Sequence, residues 1–146
     1  MSLLSFVKEA GEKLIDLLTP GNANASEQLK DHVSKVGLGN PNVQTTVEGD
    51  KVTVTGEVAT QEEKEKILLA LGNIAGVASV DDQITVTGPV VVASRFVVVK
   101  SGDTLSAISK TVYGDANKYD KIFQANKPLL SHPDKIYPGQ TLRIPD

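Results

Sequence analysis

Apolar and polar residues follow two different periods in the first half of the chain, and each period predicts a type of element. Apolar side chains recur every three or four residues in two stretches, which is typical of amphipathic helices, and Thr60 is placed to cap the second of them. Three other stretches alternate between apolar and polar residues, as half-buried strands do. Gly49 and Asp50 separate two of these and predict a hairpin turn. The predicted elements are helices over 26–36 and 61–71 and strands over 43–47, 52–58 and 80–86.

The last third of the chain predicts a smaller unit with a strand at each end. Asp103 or Thr104 can cap a first short helix, and Gly114 can adopt the left-handed conformation that ends it. We expect seven side chains on the inner faces of the two helices: Leu105, Ile108, Ser109 and Val112 in the first, and Tyr119, Ile122 and Phe123 in the second. The predicted elements are strands over 96–99 and 141–144 and helices over 105–112 and 118–126.

These patterns predict an α+β protein of two small domains, an αββαβ sandwich with its helices on one sheet face, followed by a βααβ module. Gly88 and Pro89 mark the end of the first domain. The predicted divisions are an N-terminal helical segment and linker over 1–25, a first domain over 26–88, a connector over 89–94 and a second domain over 95–146.

The composition limits the chemistry that is available. The 146 residues include no cysteine, which excludes disulfides and thiolate metal sites. Residues 1–88 carry seven Lys and thirteen Asp or Glu, a net charge of −6, whereas residues 89–146 carry eight Lys or Arg and five Asp, a net charge of +3. Neither part has a basic run with interleaved aromatic residues, so we expect no nucleic-acid partner.

The N-terminal residues predict neither a secretory signal nor a membrane anchor. Charged residues interrupt the apolar stretch that a signal requires, and no run approaches the ~18–20 apolar residues of a membrane-spanning helix. We therefore expect a cytoplasmic protein without a membrane span. We also expect it to be a monomer. The interrupting residues are Lys8, Glu9, Glu12 and Lys13.

Two resemblances to known families rest on particular stretches. Residues 96–109, 122–126 and 134–145 resemble a LysM module, and residues 47–56 and 76–80 resemble a BON domain. A short chain with this succession is similar to small bacterial potassium-binding proteins. The resemblance implies a protein that is not an enzyme and that binds K+ selectively over Na+, as a sensor or buffer of intracellular potassium.

The side chains themselves form no catalytic group. The two histidines, His32 and His132, lie in different predicted domains, and nothing holds either against a nucleophile. The alternating charges of the helix over 61–71 are interpreted as a solvated helix face. Those charges belong to Glu62, Glu63, Lys64, Glu65 and Lys66.

A potassium site can be built without charged side chains. The ion is large and weakly hydrated, so it suits neutral backbone carbonyls, and the ends of helices leave carbonyls unpaired. A first helix ending at Ala10 and the helix ending near Gly72 both offer such groups, although the glycines that follow could simply terminate helices. With the resemblance, we hypothesise a cage of the carbonyls of Val7, Ala10, Gly72, Ile74 and Val77. Alanine at Gly72 and Gly76 should then weaken K+ binding more than it alters the fold.

Two other functions remain open at this point. The LysM resemblance implies a groove for chains of N-acetylglucosamine, as in peptidoglycan, and a third interpretation is a structural adaptor whose BON domain docks on lipid or protein. No basic amphipathic helix supports docking on lipid. The groove residues that the resemblance implies are Gly102, Asp103, Thr104, Leu105, Pro128, Leu129, Leu130 and Ile136.

Overall fold

The computed structural model describes residues 2–6, 25–38, 42–74, 77–89, 94–127 and 129–145. The strands are β1 (Ser2–Ser5), β2 (Val43–Glu48), β3 (Lys51–Val58), β4 (Ser79–Val86), β5 (Arg95–Val98) and β6 (Thr141–Ile144). The helices are α1 (Ala25–Val33), α2 (Gln61–Gly72), α3 (Leu105–Tyr113) and α4 (Tyr119–Ala125), with a π turn at Ser34–Leu38 and a 3-10 turn at Ala116–Lys118. The mixture of helices and strands in two units confirms the predicted α+β class.

The first unit is a four-stranded sheet in the order β1-β4-β3-β2. The hairpin β2–β3 is antiparallel, while β3 and β4 are parallel and are joined by α2. Alternate strand residues point into one core with the apolar faces of α1 and α2. Its fully buried members include Leu29, Val52, Val54, Ile67, Leu71 and Val80.

Strand β1 was not predicted. Ser2–Ser5 pairs antiparallel with β4, from Ser2 opposite Asp82 to Ser5 opposite Ser79, where the sequence predicted a helical segment. The strand forms because it can pair with the edge of β4. Since β4 lies far along the chain, the local sequence pattern does not reveal this pairing. The predicted helix end at Ala10 and Gly11 lies outside the described residues.

The second unit pairs β5 with β6 and packs α3 and α4 against them. The predicted caps are confirmed for α3, because the Thr104 side chain accepts a hydrogen bond from Ala107 N and Gly114 ends the helix in the left-handed region. Ser109 is fully buried as predicted, and its hydroxyl donates to Asp115 O at 2.6 Å. The prediction that Tyr119 faces inward is wrong, since it is 39% exposed at the first turn of α4.

The two units touch along α2 and β6. All four residues of β6 are buried, and Leu129 of the second unit packs against the core of the first. No helix in the described ranges is long and apolar enough to cross a membrane.

Candidate functional site

The loop after α2 is anchored by apolar side chains, and its polar groups are mainly those of the backbone. Asn73 caps α2 by donating its N–H to Leu69 O, and Val77 N donates to Ile74 O at 3.1 Å. The side chains of Ile74 and Val77 are both fully buried in the core of the first unit. Because these side chains face the core, the polar groups that the two residues can offer a ligand are their peptide groups.

The N-terminal strand ends on this loop. Phe6 N donates to Ala78 O at 2.8 Å, and the Phe6 ring lies against Gly72. A Cβ added to Gly72 would sit 2.1 Å from the Phe6 ring, so the glycine is needed for this close approach. Gly72 is the last residue of α2 and does not have a positive φ. Alanine here would therefore also disturb the packing of Phe6, and the expectation that it weakens K+ binding more than it alters the fold stays a prediction.

The hypothesised carbonyl set falls into two groups. Gly72, Ile74 and Val77 belong to the loop just described. Val7 and Ala10 lie outside the described residues, although Val7 follows Phe6 directly in the chain. Gly76, which was named only for the alanine test, also lies outside them.

The donors that Gly72, Ile74 and Val77 can offer are their neutral peptide oxygens. In the part of the chain that the structure describes, no group of three or more His, Asp or Glu side chains could hold a metal ion. Small divalent ions such as Mg2+ are usually bound through carboxylates, whereas K+ suits several peptide carbonyls. The peptide oxygens of this loop are donors of the kind that K+ prefers.

The acidic stretch of α2 is not a uniformly solvated face, and that interpretation is wrong for Glu65. The Glu65 side chain is only 2% exposed, whereas that of Glu62 is 57% exposed and pairs with Lys66. Glu65 meets Arg143 of β6, whose Nε and Nη2 both donate to Glu65 Oε1, at 3.0 and 2.9 Å. A strong ion pair thus joins the two units inside the protein.

Further hydrogen bonds satisfy the remaining atoms of this pair. Glu65 Oε2 accepts from Ser94 N at 2.9 Å and from the Gln61 amide at 3.0 Å. Arg143 Nη1 donates to Ala125 O at 2.8 Å, and Nη2 also donates to Ser94 Oγ at 3.1 Å. Burial raises the pKa of Glu65, but the hydrogen bonds from Gln61, Ser94 and Arg143 outweigh it and leave the pKa below its ordinary value.

Two asparagine side chains close the free edge of β6. Asn73 exchanges hydrogen bonds with Thr141, donating to its O and accepting from its N, both at 2.9 Å. Asn126 does the same with Arg143, at 3.0 and 2.9 Å. Asn73, the first residue after α2, therefore links the candidate loop directly to the second unit. No sequence signal identified Asn73 or Glu65, because each partner lies far along the chain.

The residues of the predicted glycan groove take different positions. Gly102 lies in an exposed turn with φ +86°, and Asp103 Oδ2 accepts from Lys100 N at 2.9 Å. Leu105 and Leu130 are both 2% exposed and belong to the core of the second unit, so those two could meet a ligand only through their backbone. The others are Thr104, the cap of α3; Leu129, against the first unit; Ile136, half-buried against the second core; and Pro128, outside the described residues.

The boundary between the units also forms a cavity of about 330 Å3. Buried His32 of α1 lines it, together with Asn73 of the candidate loop and Leu129 of the second unit. His132 is exposed and belongs to the second unit, whereas His32 belongs to the first.

The sequence matches two family models and several known proteins. Residues 22–88 match the BON domain and residues 97–145 the LysM domain. Over its full length the chain is 56% identical to the potassium binding protein Kbp of Escherichia coli O6:H1, with 99% of that protein covered. An uncharacterized protein of Deinococcus radiodurans is 53% identical over 32% of this chain and 18% of its own length. YqbP of Bacillus subtilis, also uncharacterized, is 37% identical over 36% of this chain and 28% of its own length.

Proposed function

Because this BON–LysM chain belongs to the family of the potassium binding protein Kbp, we propose that it binds K+ rather than catalysing a reaction. We propose further that it is selective for K+ over Na+ and acts in the cytoplasm as a sensor or buffer of the ion. The proposal is supported by the full-length identity to Kbp and by the neutral donors of the loop after α2.

The observation that carries the site is the attachment of Phe6 to the loop. Its N–H bonds Ala78 O, and its ring covers Gly72, so the residue before Val7 is fixed beside Val77 and Gly72. This attachment supports a cage in which carbonyls from the N-terminal segment join those of the loop. The end of α2 also contributes the negative end of its helix dipole, which favours a cation.

The free energy required of such a cage is small. A millimolar site needs about 4 kcal/mol, and a 100-fold preference over Na+ about 2.8 kcal/mol. The number of carbonyls and the size of the cage can supply both, and no buried charge is required.

The LysM unit is placed to respond to the state of this loop. Asn73 is the residue after Gly72, and its side chain bonds both backbone groups of Thr141. A change in the loop on ion binding would move Asn73 and so the edge of β6. We therefore propose that the LysM unit reports the ion-bound state, through a shift between docked and loosened forms.

We expect saturable heat when the potassium-free protein is titrated with KCl in a calorimeter. NaCl, MgCl2 and CaCl2 at matched ionic strength should give no saturable heat, because their ions suit different cage sizes or charged ligands. No selective heat, together with a melting temperature that KCl leaves unchanged, would contradict K+ binding.

The positions of the ligands can be tested separately, through the 13C shifts of backbone carbonyls. We expect the carbonyls of Gly72, Ile74 and Val77 to shift saturably with KCl and not with NaCl. The Leu69 carbonyl is the matched control, because it lies inside α2 rather than in the loop and, like that of Ile74, accepts one backbone hydrogen bond. If K+ binds with measurable heat while these three carbonyls respond no more than that of Leu69, the function stands and the site lies elsewhere.

A further inference from the structure

The two outer edges of the small β5–β6 sheet differ in whether their backbone groups are hydrogen-bonded. In an antiparallel pair, alternate residues turn their N–H and C=O groups towards the partner strand. Val99 N donates to Gln140 O, so the peptide groups of Val97 and Arg95, two and four residues earlier, also face β6. Phe96 and Val98 therefore turn their peptide groups to the outer edge of β5. That assignment agrees with β6, where the outward groups are those of Thr141 and Arg143.

The outer edge of β6 is closed and that of β5 is open. The groups of Thr141 and Arg143 are bonded by the side chains of Asn73 and Asn126. Among the residues that the structure describes, no third strand pairs with β5, and its outward groups have no protein partner. An open strand edge of this kind can accept a further strand.

An apolar groove runs along the open edge. It has a volume of about 270 Å3 and lies between β5 and α3. Val98, at 45%, is the most exposed large apolar side chain in the described ranges. The apolar lining consists of Val97, Val98, Ala107, Ile108 and Val112. An added strand would thus find hydrogen-bond partners and a place for an apolar side chain together.

The charges at the ends of the edge identify the occupant. Arg95 precedes the outward-facing residues and Lys100 follows them, and both are exposed. Asp103 lies nearby, but its carboxylate already accepts from Lys100 N. If two copies of the chain paired β5 with β5, each Arg95 would come close to the Lys100 of the other copy, and like charges would repel at both ends. A strand that carries acidic residues is favoured instead.

From the open edge, the groove and these two cations, we infer that β5 is a docking site for an extended segment of another protein. The segment alternates apolar and polar residues and carries acidic residues at its ends. It would extend the β5–β6 sheet by one strand. The first unit packs on the opposite edge, so the segment can bind while the two units stay in contact. The inference does not depend on K+ binding.

The test is a titration of the 15N-labelled full chain with a synthetic peptide of alternating Val and Thr that has Glu at both ends. We expect the amide signals of Phe96 and Val98 to shift saturably. The same peptide with Lys at both ends should bind roughly tenfold more weakly, because two favourable charge contacts become repulsive. The amides of Thr141 and Arg143 are internal controls, since their N–H groups are already bonded.

Variants identify the contact. Val98→Pro removes an outward N–H without removing a bond to β6 and should abolish binding, whereas Val98→Thr keeps the N–H and should retain it. Arg95→Glu combined with Lys100→Glu leaves the backbone intact and should reverse the preference between the two peptides, which covers the case in which the proline variant does not fold. Equal binding of both peptides, no saturation, or shifts confined to β6 would overturn the inference. If the free protein is a dimer that Val98→Pro dissociates, the strand that occupies this edge comes from a second copy of this chain and not from another protein.

Discussion

Replacing Glu65 by glutamine should lower the free energy of unfolding by about 3 kcal/mol, as is usual when one partner of a buried ion pair is removed. Arg143, only 7% exposed, would keep its charge with no buried carboxylate opposite it. Urea unfolding, followed by circular dichroism, measures the loss. The docking of the units should loosen as well, and a shift of the Thr141 amide signal would report it.

Glu62→Gln is the matched control on the same helix. Glu62 is 57% exposed and lies 3.8 Å from Arg143 Nη1, so its loss should cost no more than about 0.5 kcal/mol. A double variant with methionine at both Glu65 and Arg143 should regain most of the lost stability, because no unpaired charge is then buried. If Glu65→Gln unfolds at the same urea concentration as Glu62→Gln, the ion pair does not hold the units together.

The pH dependence of the same pair has a definite sign. The pKa of Glu65 is lowered in the folded protein, so the pair stabilises the fold above the pKa of glutamate in the unfolded chain. That contribution is lost as the pH falls through the lowered folded value. The Glu65→Gln variant should therefore lose less stability than the wild type between neutral and acidic pH.

Replacing Gly72 by alanine should destabilise the protein by about 1–3 kcal/mol, the usual cost of overpacking. The new Cβ would lie 2.1 Å from the Phe6 ring, so the ring and the N-terminal segment must move away from α2. If the proposed cage needs that segment, the apparent K+ affinity should fall about tenfold, because only a small fraction of molecules keeps the binding arrangement. Urea unfolding and calorimetry on the same sample measure the two effects.

A second substitution separates the clash from other effects of alanine. Phe6→Leu keeps an apolar side chain but removes the ring atoms that alanine would meet. Combined with Gly72→Ala it should cost less than the two single changes added together, since each removes the reason for the other's penalty. Additive costs would show that Phe6 and Gly72 are not in contact. A stable Gly72→Ala variant with unchanged K+ affinity would show that the N-terminal segment is not part of the K+ site.

Most of the element order could be predicted from the sequence because its signals are local. Thr60 and Thr104 cap helices through bonds to residues three positions away, and Gly114 ends α3 through its own backbone conformation. The alternation in β3 places Val52 and Val54 in the core, as expected. Each of these signals acts within one turn or one strand, so a short window of sequence contains it.

The candidate site could be predicted only in part. The loop of Gly72, Ile74 and Val77 was predicted as a K+ site because it follows a helix end and because the chain resembles potassium-binding proteins. Gly72 was expected to end a helix and does so, but its contact with the ring of Phe6 was not expected. A glycine has the same appearance in a sequence whether a turn or a neighbouring ring requires it, so only the packing distinguishes the two.

By itself, the sequence determined the secondary structure apart from β1, the order of two small α+β units and the lack of cysteine chemistry. The tertiary structure alone decided which charge is buried. Glu62, Glu63 and Glu65 belong to one mixed-charge stretch, yet only Glu65 is buried, against Arg143, 78 residues further on. The same holds for Asn73 and Thr141, 68 residues apart, and for the edge that β4 offers to β1. Periodicity and caps arise between neighbours in the chain, whereas the burial of a charge depends on a partner that only the fold brings near.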